Sequence, residues 1–252
     1  MRILWDNKYL SASITASSQD PDYPLSNTQD TRLTRLFRTN NLVDDQYITI
    51  NTEIKASYVA IMNHNISSDA TIQLLGANED TNDVVDWDNP DVTISVTHRD
   101  YIIVQKFTEA TYTDWRLTID DPNNSDGYIK IGSVFIGTYL QMPGMSRKAN
   151  NIDNLSTSEV SFSDSGQVYG DEGYDYRENS VSFPLISQDK REQIVSMYKE
   201  VTKIKPVIML LWAERLDLEK PIYCVLTLDP KFKRTDSHND PFQLQLKFRE
   251  VF

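Results

Sequence analysis

The first 142 residues are written in short runs that alternate apolar and polar side chains, and this period of two restricts the fold more than any other feature. The run DQYITINTE (45–53) sets Ile48 and Ile50 against Tyr47, Thr49 and Asn51. ASYVAIMNHN (56–65), ATIQLLGANED (70–80), DVTISVTHRD (91–100), DYIIVQKFT (100–108) and TDWRLTID (113–120) follow, separated by Asn, Asp and Ser turns. A half-buried strand hides every second residue, whereas a surface helix needs apolar residues three and four apart, and no such stripe occurs in this half. The pattern predicts an antiparallel β-sandwich over residues 1–142. Thirteen Tyr and only 8 Gly in the whole chain agree with sheet over helix. Residues 19–39 read as a long loop packed with turn residues.

One stretch breaks the alternation. In DGYIKIGSVFIGTYL (126–140), Ile129 and Ile131 share one parity, and Val134, Ile136 and Leu140 share the other. One extra residue sends every later side chain to the opposite face. The expectation is a bulge at Gly132/Ser133, with Ile129 and Ile131 in one apolar layer and Val134 and Ile136 in another. One layer is then the sandwich core and the other a contact between domains or subunits.

Beyond Met142 the character changes, and residues 143–252 read as a smaller β-rich α+β domain. RKANNIDNLSTSE (147–159) is polar and irregular, a junction. Residues 160–185 read as two strands joined by a Gly- and Asp-rich loop. SQDKREQIVSMYKEVTKIK (187–205) is the one main helix. Ser187 caps it, Asp189 sits in its first turn, and Pro206 stops it. Ile194, Tyr198 and Val201 or Ile204 form its apolar face. Strands PVIMLLW, PIYCVLTLDP and PFQLQLKFREVF complete the chain, which at 252 residues has room for two domains.

Charge separates the halves. Up to Met142 there are 10 basic and 20 acidic residues; after it, 15 and 17. An acidic first half argues against nucleic acid as a partner, because phosphate binding needs a basic face. No apolar run reaches the length of a membrane span, so no insertion into a bilayer is expected. The N-terminus lacks the apolar core of a signal peptide, which places synthesis and folding in a cytoplasm. The single cysteine, Cys224, lies in an apolar run and reads as a core residue.

Candidate chemistry is sparse. The three histidines, His64, His98 and His238, lack zinc-ligand spacing and read as solvated loop residues. DDPNNSDG (120–127) approximates a calcium loop starting at Asp121, but Asp126 stands where glycine belongs, and a hairpin turn explains the same letters. The acidic run 78–91 (Glu79, Asp80, Asp83, Asp86, Asp88, Asp91) reads as a solvated loop. Trp87 within it either stacks on a sugar, anchors a protein contact or folds back on the sandwich. There is no phosphate-binding glycine loop and no nucleophile with a recognisable base, so the chain reads as a non-enzyme without cofactor or metal.

Three stretches in order carry a resemblance. TASSQDPDYPLSNTQDTRLTRLFRT resembles the opening of discoidin-like (galactose-binding-like) jelly-roll sandwiches. YVAIMNHNISSDATIQLLGANED resembles the strand–turn–strand that follows, and DWRLTIDDPNNSDGYIKIGSVFIGTYLQMP the closing hairpin as it occurs in tail proteins of long-tailed bacteriophages. The start MRILWDN fits the same proteins, and the second half, with SGQVYG and SFPLIS, resembles a tail-tip or baseplate accessory domain. The resemblance implies a structural virion protein of the tail, assembled in the host bacterial cytoplasm. Its implied partners are other tail proteins and further copies of itself in a ring. The alternative it implies is a carbohydrate-binding module that contacts a host-surface glycan. Tyr23, Trp87 and Tyr112 are the candidate ligand or partner contacts.

Overall fold

The computed structural model describes residues 1–43, 45–78, 85–145, 151–217, 219–234 and 242–251. The chain divides into two compact units. One comprises Leu4–Tyr139 with Glu214–Pro221; the other comprises Met1–Ile3, Leu140–Ala213 and Ile222–Val251. The fold class is as expected: mainly antiparallel strands, with one main helix.

The first part of the chain carries β1 (Arg2–Asn7), β2 (Ile14–Ala16), β3 (Phe37–Arg38), β4 (Gln46–Met62), β5 (Thr71–Ala77), β6 (Val92–Ser95), β7 (Ile102–Asp120), β8 (Lys130–Ile131) and β9 (Ser133–Gln141). β4 pairs with β2, β7 and β9, β5 lies between β7 and β6, and β3 pairs with β8 as a separate two-stranded sheet. The buried alternates meet in one core, which includes Ile48, Ile50, Val59, Ile61, Ile72, Leu74, Ile103, Trp115 and Leu117. Within the loop expected at 19–39 the chain forms a 3-10 turn over Leu25–Gln29 and strand β3.

Two pairs of expected strands are in fact single long ones. Residues 45–53 and 56–65 merge into β4, 17 residues long, and 100–108 and 113–120 merge into β7, 19 residues long. The β4–β7 register shifts between Asn51 and Ile54 and again between Ala56 and Tyr58. Each shift interrupts the alternation without ending the strand, so each looked like a gap in the sequence.

The parity switch at 126–140 is real, but Val134 and Ile136 do not enter a layer different from that of Ile129 and Ile131. Ile129, Ile131, Val134 and Ile136 all belong to the same core cluster. The chain leaves the β3 sheet after Ile131 and joins β4 at Ser133, pairing Met62 with Ser133 and Tyr58 with Gly137. Gly132 is therefore a corner between two sheets and not a bulge within one strand. Its N–H donates to the carbonyls of Met62 and Asn63 at 3.0 Å each, and a Cβ there would lie 2.6 Å from the Leu33 carbonyl oxygen. Changing sheets at a corner turns the strand over, so both parities reach one interior.

The remaining elements are β10 (Asn151–Ser156), β11 (Glu159–Phe162), β12 (Val168–Asp171), β13 (Asp175–Ile186), α1 (Gln188–Val201), β14 (Val207–Leu210), β15 (Ile222–Leu226), β16 (Lys231–Arg234) and β17 (Phe242–Glu250). β17 has β13 on one side and β15 and then β16 on the other. β11 and β12 form a hairpin sheet of their own.

α1 is capped by the Ser187 side chain, which accepts from the Lys190 N–H, and it ends at Thr202 with φ 54°. Its buried face is Ile194, Met197 and Val201. The expected Tyr198 and Ile204 lie outside that face. The Tyr198 hydroxyl donates to Asp229, and Ile204 is 82% exposed because the helix stops before it. Cys224 is fully buried as expected, and burial pushes its thiol up, away from reactive thiolate.

Candidate functional site

Trp87 folds back onto the sandwich. The Arg116 guanidinium carbon lies 4.2 Å from its ring centroid and also 4.2 Å from that of Tyr47, while Arg116 Nε donates to Thr49 Oγ1 at 3.1 Å. The strands explain the group: Tyr47 and Thr49 share a parity on β4, and β4 pairs Thr49 with Arg116 of β7. Burial lowers the Arg116 pKa, opposed by Tyr47.

Tyr23 meets a second arginine. The Arg38 guanidinium carbon sits 3.7 Å from the Tyr23 centroid and 4.8 Å from that of Tyr128, and its buried Nε has no hydrogen-bond partner. The backbone sets this up, since the Arg38 N–H donates to the Tyr23 carbonyl and β3 pairs Arg38 with Lys130 of β8. Phe37 and Thr39, on either side of Arg38, border the same small space as Gln46 and Tyr47. Cation–π contacts of this kind contribute about 0.5–1 kcal/mol each near solvent.

Tyr112 is half-buried and packs against the core. It stands edge-on to Trp115 with centroids 5.1 Å apart, over Gly76, where a Cβ would lie 2.5 Å from its ring. Tyr23, Trp87 and Tyr112 thus have three different partners. Sequence reasoning missed Arg38, Arg116, Tyr47 and Tyr128, and only strand register brings them in.

The histidines correct an expectation. His64 and His98 are half-buried, with rings packed edge to face at 5.7 Å; they are not solvated loop residues. His64 Nε2 donates to the Arg99 carbonyl and His98 Nε2 to the Ile66 carbonyl, each at 2.9 Å. His238 lies outside the described residues.

Burial, then the neighbouring His98, push the His64 imidazole down to about 4. Unfolded, His64 takes up a proton as pH falls through about 6.5; folded, it resists until about 4. Stability is therefore complete above pH 6.5 and is lost as pH falls toward 4, by at most roughly 3 kcal/mol from this group. Thermal melts from pH 7 to 4.5 should show a shallower decline for His64→Gln than for the parent. Equal slopes would assign the loss to other groups.

The remaining candidates are absorbed by turns. Asp121 accepts from the Ser67 N–H and hydroxyl and from Asn124 Nδ2, while Gly127 closes the turn at φ 74°. Asp86 accepts from the Asp88 N–H and Asn89 Nδ2, and Asp91 from Asn78. Glu79, Asp80 and Asp83 lie outside the described residues. Among the described residues no three His, Cys, Asp or Glu side chains are grouped to hold a metal ion.

The other surface feature is the β11–β12 hairpin. Every residue of both strands is exposed. Pairing of Val160 with Gly170 and of Phe162 with Val168 puts Val160, Phe162 and Val168 on one face. They are 61%, 72% and 65% exposed. The other face carries Glu159, Ser161, Tyr169 and Asp171. An amphipathic two-stranded ribbon whose apolar face is exposed is marginal in water.

No family model and no curated protein matches the chain. Solved structures do. A fucose-binding module of Streptococcus pneumoniae is 12% identical with a TM-score of 0.40, over 53% of this chain and 98% of that one. The family 32 carbohydrate-binding module of NanJ from C. perfringens, in complex with galactose, is 16% identical with a TM-score of 0.41, over 55% and 99%. Chitosan-binding module 2 of a Paenibacillus sp. IK-5 chitosanase/glucanase, in complex with chitotriose, is 14% identical with a TM-score of 0.39, over 51% and 98%.

Proposed function

We propose that this chain is a non-catalytic assembly protein, and that its place is the tail of a bacteriophage. The single observation that carries the assembly role is the bare apolar face of the hairpin, Val160, Phe162 and Val168, whose burial against a partner is favourable. The resemblance of the sequence to tail proteins supports the kind of particle. Mass spectrometry of particles purified from the producing bacterium should find the chain in fixed ratio to other tail proteins. Particles that lack it overturn the reading.

A second reading has its own observation. Trp87 and Tyr47 flank Arg116 on the sandwich surface, and aromatic rings beside a hydrogen-bond donor suit the apolar and polar faces of a sugar. Calorimetry with fucose, galactose and chitotriose, the sugars of the structures just compared, tests it. If the sandwich is a glycan receptor, one of them gives saturable heat that Trp87→Ala reduces at least tenfold. Absence of heat with all three removes support for this reading and leaves the assembly reading untouched.

A further inference from the structure

We infer that residues 97–101 form a strap, held closed on residues 63–67 by His64 and His98 and released by acid. Two reciprocal bonds make the clasp. His64 donates from Nε2 to the Arg99 carbonyl, and His98 donates from Nε2 to the Ile66 carbonyl, each at 2.9 Å. Each segment thus supplies one imidazole and one carbonyl, and the two rings meet edge to face.

The two sides of the clasp are anchored unequally. Residues 63–67 are tied down along their length. Asn63 Nδ2 donates to the Leu33 carbonyl, the Asn65 N–H to the Lys130 carbonyl and the Ser67 N–H to Asp121. The strap is held at its ends, where the Val96 N–H donates to the Ile72 carbonyl and β7 begins at Ile102. Between those ends the Thr97 N–H reaches Gln105 Oε1 at 3.4 Å, and Lys220 Nζ lies 3.4 Å from the Tyr101 ring centroid. The middle of the strap rests on the two histidine bonds. When the clasp opens it is therefore the strap that moves.

Proton placement makes the clasp sensitive to acid. A carbonyl only accepts, so each Nε2 that faces one carries the proton, and Nδ1 of the neutral ring carries the lone pair. His64 Nδ1 is buried and has no hydrogen-bond partner. A second proton would go there, where no acceptor meets it and the His98 ring stands 5.7 Å away. Among the other charged groups, Asp100 favours the His64 imidazolium, Lys130 opposes it, and Asp121 faces His98. Burial outweighs Asp100, and in the closed form His64 stays neutral down to about 4. Freed from the clasp, the ring reaches water and takes up a proton at about 6.5. The open form gains a proton that the closed form refuses. Its population relative to the closed form rises by up to about 20-fold from pH 7 to pH 5.

Nitrogen relaxation dispersion on the full chain reads a minor open form directly. In the parent, the exchange contribution at the amides of 63–67 and 97–101 should grow several-fold between pH 7 and pH 5, while β4 and β7 stay level. His64→Gln keeps a donor for the Arg99 carbonyl but cannot titrate, so its growth should vanish. His98→Gln should retain the growth, because His64 still titrates in it. A parent without growth, or a His64→Gln variant that grows as the parent does, overturns the inference. So does growth shared equally by β4 and β7, which would mean that acid loosens the sandwich as a whole and that the strap is not a separate unit.

Discussion

Phe162→Asp leaves the melting temperature of the chain unchanged and reduces its association with the particle by about 30-fold or more. The two halves of this expectation have separate causes. Phe162 is 72% exposed in a hairpin whose strands are exposed along their whole length, so its replacement removes little from the fold. Surface changes of this type stay within about 0.5 kcal/mol. In an interface the same ring is an anchor, and truncating an anchor costs at least about 2 kcal/mol, a factor of about 30 in affinity. The aspartate adds an uncompensated charge in an apolar contact. Thermal melts of the variant and its recovery in purified particles separate the two. A variant that associates as the parent does would show that the hairpin face is not the contact.

Trp115→Ala has the opposite signature, destabilising the sandwich by about 3–5 kcal/mol. Trp115 is fully buried, and it is packed by Phe107 at 5.6 Å and Tyr112 at 5.1 Å. Its indole N–H donates to the Ile54 carbonyl at 3.0 Å. That carbonyl sits just past the register shift between Asn51 and Ile54, so the indole stitches β4 where the ladder is irregular. Removal leaves a cavity and takes the indole's donor away from the Ile54 carbonyl, and the two costs act together. Chemical denaturation of the parent and of the variant measures the difference. A loss below about 1 kcal/mol would mean that the core closes around the vacancy and that the bulge needs no stitch.

Much of the local structure was legible from the letters. Ser187 before Gln188, with Asp189 following, marks a helix start through backbone donors that any isolated helix leaves unsatisfied. The end of α1 was less legible. Pro206 announces a stop, but nothing in VTKIK places it as early as Thr202, and Ile204 looked like one more residue of the stripe. The alternation of Ile48 and Ile50, or of Leu117 and Ile119, likewise records which side of a strand is dry.

The joins between such runs were not legible. β4 and β7 each continue through irregular residues because a partner strand holds them there, and no residue within 51–57 states that a partner exists. His64 and His98 lie far apart in the chain and share no pattern, so only the fold could pair them. The same is true of Arg116 with Trp87 and of Arg38 with Tyr128. The hairpin shows the limit most directly. Residues 160–185 read as two strands and hold parts of three, and an alternating strand says only that its two faces differ. Periodicity is a property of neighbouring residues, and the sequence alone determined it: an acidic, strand-rich half, a mixed second half and one capped helix. Which faces are covered depends on chain segments tens of residues away, so the tertiary structure alone decided that Tyr112 packs against the core, that both parities around Gly132 meet one interior, and that the apolar side of β11–β12 faces water.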